Sequence, residues 1–280
     1  MKKIVSLVVA ALVMCSCADS FLSEEPVGEF MPEQVESEEN IEGIVIGAYA
    51  VLDGYYASDA INSGCSNWQF GDVVSDDAYK GGGGTGDQNQ IHLMEIFNAN
   101  PTGIDFEARW AALYEGVKRC NQAIRLLSNS TVKNKEQRLA EMRFLRGHYY
   151  FNLKVIYNLI PWIDETVVDP NEYHTKSNME FTSDQLWEKI LGEFSAAYQV
   201  LPERQSDYGR PTKMAAKAYM AKVYLYQSKW KECLSACDEV IQSGKYTLYP
   251  DFREVFLPEN DNNSEIIFAV QLSINDGASS

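Results

Sequence analysis

Between Pro211 and Tyr246 the chain reads PTKMAAKAYMAKVYLYQSKWKECLSACDEVIQSGKY, and this run restricts the fold more than any other. Pro211 suits a helix start, because its fixed φ and missing N–H cost nothing in the first turn. A helical pattern follows, interrupted only by the short turn Ser228-Lys229, and Gly244 is the expected left-handed stop of a second helix. Small residues at Ala221 and Cys233 let the two helices approach closely, while Tyr224 fills the space beside them.

Ala221, Tyr224, Trp230 and Cys233 occupy the small and aromatic positions of a tetratricopeptide-like hairpin. Weaker echoes occur at Gly147 with Tyr150, and in a buried stripe of Trp110, Leu113, Tyr114, Val117, Ile124 and Leu127 that ends before Asn129-Ser130. A single hairpin cannot bury its own apolar face, so the pattern predicts about three stacked hairpins. Other helices are expected from Ile41 to Leu52, from Lys135 to Tyr157, and after Thr182. There Gln185 stands three places on and completes a capping box. Pro161 and Pro202 forbid continuation of the helices before them. Glu265 to Ile274 is β-branched and aromatic, which reads as a strand. The expected fold is all-α: a tetratricopeptide-like superhelix with long irregular insertions and a little β near the C-terminal end.

The insertions are as informative as the helices. Tyr55 to Ile104 shows no sustained helical period and holds Gly81 to Gly84 and Gly86. An ordered domain seldom keeps so long an irregular stretch unless it is functional. A second such link runs from Asn158 to Phe181.

At the N-terminus, Lys2 and Lys3 precede an apolar run from Ile4 to Met14 and then Cys15-Ser16-Cys17. A basic start, a short apolar segment and a small residue before a cysteine describe a cleaved export signal with lipidation at Cys17. Acyl chains on Cys17 would hold the body on a membrane without a spanning helix, for which no stretch supplies the ~18 apolar residues needed. The division expected is a lipoprotein signal at 1–16, an acidic tether at 17–40 and a helical domain at 41–280. Without the signal the chain carries 22 basic against 40 acidic residues, net −18. Nucleic acid and anionic membrane surfaces are poor partners for such a body. Cys65, Cys120, Cys233 and Cys237 form neither a C-x-x-C pair nor a zinc pattern, and the last three sit where helices would bury a small residue.

Several segments then combine. The anchor is followed by Asp19-Ser20-Phe21-Leu22 and Glu24-Glu25-Pro26, and Phe70-Gly71-Asp72 runs into Ser75-Asp76-Asp77. Trp110 precedes Arg119-Cys120-Asn121-Gln122-Ala123. Glu141 to Arg146 precedes Tyr149-Tyr150-Phe151-Asn152-Leu153, and Lys213 to Ile241, Tyr246 and Asn263 to Phe268 follow. In this order the chain resembles the SusD/RagB family of outer-membrane nutrient-binding lipoproteins. The resemblance implies outward-facing attachment to the outer membrane and capture of a glycan, delivered to a SusC-like TonB-dependent transporter. A peptide-binding member of the family and a structural tetratricopeptide scaffold are the alternatives. Catalysis, cofactors and metals are not implied. Family members continue beyond the last segment, so the chain resembles the N-terminal part of one, and a superhelix cut there is expected to leave an apolar face open and dissolve poorly alone.

Sugar recognition needs flat apolar faces and planar amides or carboxylates on loops held by a rigid body. The first insertion supplies Asn67, Trp68, Asp76, Asp77, Tyr79, Lys80, Asp87, Gln88 and Asn89. Of these Trp68, Tyr79, Lys80, Asp87, Gln88 and Asn89 are the candidate ligand contacts, with Tyr79 and the run 87–89 foremost. Trp68 and Phe70 equally suit plugs that hold the insertion onto the helices. The second insertion adds Trp162, Tyr173 and His174 as weaker candidates. Asp72, Asp76 and Asp77 offer carboxylates to calcium without the twelve-residue loop spacing. His148 reads as a packing residue, and His92 and His174 lack a serine or cysteine elbow. The glycine run lacks the Gly-Lys-Ser/Thr of a phosphate loop.

Overall fold

A computed structural model describes residues 38–54, 68–75 and 77–271. The expected signal, Cys17 and nearly all of the expected tether lie outside the described residues, as do 55–67 and Asp76. The helices are α1 (Glu38–Tyr49), α2 (Asn89–Glu95), α3 (Ile104–Asn129), α4 (Lys135–Tyr157), α5 (Pro170–Tyr173), α6 (Ser183–Val200), α7 (Lys213–Tyr226) and α8 (Trp230–Gln242). The long helices pack in sequence, α3 on α4, α4 on α6, α6 on α7 and α7 on α8, with α1 laid against α3 and α4. This is the tetratricopeptide-like array that the helical spacing predicts.

Local signals hold where they were strongest. The Thr182 hydroxyl accepts from the Gln185 amide at 3.3 Å, and the Gln185 side chain accepts from the Thr182 amide at 2.9 Å, satisfying two donors at the start of α6. Thr212 caps α7 by accepting from the Ala215 amide. Gly244 stops the chain beyond α8 at φ 63°.

The core runs along α3 and α4, where Leu113, Val117, Ile124, Phe144, Leu145 and Tyr149 are each at most 1% exposed. At Gly116 the Tyr149 ring of α4 presses against the α3 backbone: a Cβ there would lie 2.6 Å from that ring. The freed space lets Tyr149 reach across and donate its hydroxyl to the Ala48 carbonyl at 2.8 Å, fastening α1.

Two ionic clusters tie the array. Glu141, fully buried, accepts from Arg138 at 2.7 Å, from Arg210 at 2.8 Å and from the Tyr49 hydroxyl at 3.0 Å, joining α1, α4 and the loop before α7. Arg146, 2% exposed, donates to Glu193 on α6 at 2.8 and 3.1 Å, to Asn121 on α3 at 2.7 Å and to Glu165 in the second insertion. A buried guanidinium needs all its donors met, and this one obtains them from three separate elements.

Three expectations change. Among the described residues no strand forms, and 265–271 runs irregularly. A β run needs a neighbouring backbone to pair with, and the helical core captures this one by its side chains instead: Phe268 sits edge-on to Phe144 at 5.0 Å. Cys120 is buried as expected, but Cys233 and Cys237 are only half-buried. The third change concerns α8, which rests on α7 and leaves Trp230, Leu234 and Ile241 63–71% exposed, so the aromatic position that Trp230 occupies in the hairpin is open rather than packed.

Candidate functional site

The first insertion is held on α3 by aromatic plugs. Phe70 stands edge-on to Phe106 at 5.4 Å, and the Arg109 guanidinium lies over the Phe70 ring at 5.7 Å. Val73, Ile91 and Met94 of the insertion itself are buried. Trp68, half-buried, opens a π-helical turn that ends at Asp72. These contacts turn a glycine-rich segment into a fixed platform.

On that platform the six candidate residues divide into a frame and a face. Lys80 is 8% exposed, and its ammonium donates to the Gly84 carbonyl at 2.9 Å and to the Asp87 carbonyl. The Asp87 carboxylate accepts from the Gly83 amide at 2.9 Å. A buried ammonium bonded to two loop carbonyls closes the loop from inside. The glycine between them is required. Gly82 has φ 76°, and a Cβ there would lie 2.2 Å from an Asp87 carboxylate oxygen. Outside the frame, Tyr79 is 72% exposed. Gln88 is exposed at φ 48°, and Asn89 is exposed with its amide donating to the Thr85 carbonyl at 3.0 Å. The loop thus displays a flat aromatic ring and two planar amides on an internally bonded turn.

Asp72 and Asp77 do not gather a metal site, and no group of metal-ligating side chains exists among the described residues. The Ser75 hydroxyl bonds the Asp72 carbonyl and the Asp77 carboxylate, turn-forming contacts. In the second insertion Trp162 is buried, stacked on Tyr150 at 4.0 Å, so it belongs to the core. Tyr173 is half-buried and His174 exposed. Trp110 and Tyr114, read from the sequence as buried stripe, are half-buried as well: each meets α4 on one side, through Tyr157 and Tyr150, and opens on the other toward a cleft beside that insertion. His148 bonds the Tyr219 hydroxyl at 2.7 Å. Its desolvated ring, beside the charges of Arg109 and Lys222, is pushed down to about 3, so it is a neutral packing residue. No helix among the described residues is long and apolar enough to cross a membrane.

Known proteins share this frame. A SusD-like family model described as "Starch-binding associating with outer membrane" matches residues 20–225. SusD-like protein P25 of Formosa agariphila is 23% identical over a 292-residue alignment covering 97% of this chain and 52% of that protein. A SusD-like protein of Bacteroides ovatus is 24% identical over 96% of this chain and 49% of its own length. Among solved structures, surface glycan-binding protein A from Bacteroides thetaiotaomicron in complex with laminarihexaose superposes with TM-score 0.70 at 29% identity, covering 83% of this chain and 49% of that one. A laminarin-binding SusD-like protein gives 0.72 at 26% identity, over 83% and 51%. The chain spans about half the length of the relatives it matches. With a family model spanning most of its length and solved relatives superposing on its helices, the chain belongs to the SusD-like family of starch-binding, outer-membrane-associated proteins.

Proposed function

We propose that this chain is the part of a surface lipoprotein that captures an extracellular oligo- or polysaccharide and presents it to a SusC-like TonB-dependent transporter. It sits on the outer face of the outer membrane through lipid on Cys17, takes no cofactor and does not cleave what it holds. One observation carries the reading. The first insertion shows an aromatic ring and amides, Tyr79 with Gln88 and Asn89, on a loop that Lys80 and Asp87 close from within. A sugar ring offers an apolar face to the aromatic and hydroxyls to the amides, and a loop ordered beforehand loses little entropy on binding. The solved relatives, one named for laminarin binding and one in complex with laminarihexaose, support the same class of ligand. Trp68, at the base of the loop, contributes at its edge.

The test is native affinity electrophoresis of the full chain in gels containing laminarin, starch, xylan, mannan or pectin. Retardation in at least one gel, weakened roughly three- to tenfold in Tyr79→Ala, is the expected result, since one stacking contact is worth about 0.5–1.5 kcal/mol. Unretarded migration in every gel refutes the proposal.

A further inference from the structure

We infer that the protein carries a second sugar subsite, in a cleft of about 330 Å³ where the second insertion folds back over α3. The inference rests on the glycan reading and extends it to a part of the surface apart from the Tyr79 loop. Trp110, Tyr114, Glu115 and Lys118 of α3 line one side, and Tyr173 and His174 line the other. Small-molecule sites run from ~300 Å³ upward, so the cleft holds about one ring.

The walls are rigid. Trp110 leans on Tyr114 at 4.8 Å and meets Tyr157 edge-on at 4.9 Å, and Tyr114 meets Tyr150 edge-on. The facing segment is pinned to the same helices. The Tyr114 hydroxyl donates to the Pro161 carbonyl at 2.7 Å, and the Asn121 amide donates to the Ile163 carbonyl at 2.9 Å. Tyr173, by contrast, is half-buried, and its hydroxyl makes no hydrogen bond to the described residues.

The rim decides the ligand. Glu115 and Lys118 lie 3.5 Å apart, and the other Glu115 oxygen takes Arg119 at 2.9 Å. An apolar ligand would strip water from these charges without replacing it. A sugar does not: its face packs between Trp110 and Tyr173 while neighbouring hydroxyls donate to Glu115 and accept from Lys118 or His174. In a chain of net charge −16 a rim holding both signs suits a neutral ring better than an anionic one. The Phe70 plug of the first insertion bears on Phe106, one helical turn before Trp110, so both candidate surfaces lean on the same end of α3. Two contacts along one polysaccharide raise the affinity for long chains over short ones without any new interface.

The test uses the full chain labelled with 5-fluorotryptophan, with the Trp110 fluorine signal assigned from Trp110→Phe. It is titrated with the neutral oligosaccharide of whichever polysaccharide retards the protein in gels, or with laminarihexaose if none does. The expected result is a saturable shift of the Trp110 signal that persists in Tyr79→Ala and disappears in Tyr173→Ala. Tyr173→Ala, at a half-buried position on a short surface helix, and Lys118→Ala, at an exposed one, should each weaken polysaccharide retention roughly three- to tenfold while leaving the thermal unfolding midpoint in place. An unmoved Trp110 signal in a protein that gels still retard overturns the second subsite and leaves the glycan reading standing. An unmoved signal without retardation by any polysaccharide removes both.

Discussion

Arg146 offers the sharpest test of how the array holds the second insertion. Arg146→Met keeps length and apolar bulk but removes the guanidinium from a site 2% exposed. It leaves Glu193, 6% exposed, as a carboxylate that has lost its partner at 2.8 Å, and leaves the Asn121 side-chain oxygen without its donor at 2.7 Å. Breaking a buried pair from one side costs about 3–5 kcal/mol, mostly the penalty of the stranded charge. Arg143, 3.5 Å from Glu193 and 37% exposed, offsets little of it. Urea unfolding of the full chain, followed by far-ultraviolet circular dichroism, should therefore show a midpoint displaced by the equivalent of about 3–5 kcal/mol with an unchanged slope. The double variant Arg146→Met/Glu193→Leu removes both charges and should recover most of that loss, because a buried pair replaced by apolar residues of similar volume is close to neutral. Hydrogen exchange supplies an independent readout. Glu165 loses its arginine as well, so amides of 163–167 should exchange faster in both variants, including the stabilised one. A double variant as unstable as the single one, or a single variant within about 1 kcal/mol of the parent, would refute the stranded-charge argument.

Gly116→Ala should destabilise by about 1–3 kcal/mol, since the added methyl falls 2.6 Å from the Tyr149 ring in a packed core, and a thermal melt reads the loss directly. The depressed His148 predicts a pH effect. Below about pH 6.5 the unfolded chain takes up a proton that the folded ring refuses down to about 3, so this residue's contribution to stability falls by roughly 1.4 kcal/mol per pH unit across that window. His148→Gln, which retains a partner for Tyr219, should flatten the acid limb of a stability-versus-pH curve, and identical limbs in the two proteins would contradict the assignment.

Much of this was legible in the residues. The Thr182 and Gln185 capping box, the Gly244 stop and the helical stripes are statements about neighbours in the chain, and neighbours stay close whatever the rest of the fold does. The family resemblance likewise rested on runs such as 141–146, although nothing in their order revealed that Glu141 would be fully buried between Arg138 and Arg210. The residue types for sugar binding in the first insertion were also readable. Their division of labour was not: Lys80 looks as available as Gln88 until the loop closes around it, and Asp87, still exposed, turns its carboxylate to the Gly83 amide. Over the described residues 265–271 the expected strand failed for a similar reason, since β-branched residues state a preference that a helical core overrode by packing against Phe268.

What the amino-acid order determined by itself was therefore the local and the chemical: helix ends, apolar faces, acidity and an insertion rich in aromatic, amide and carboxylate side chains. Tertiary structure alone decided which aromatics are plugs and which stay open, leaving Tyr79 exposed and Tyr173 half-buried at a cleft while Phe70 and Trp162 became packing. Exposure is set by what lies across a gap, and the groups that close these gaps stand far away in sequence: Phe106 opposite Phe70, and Tyr150 beneath Trp162.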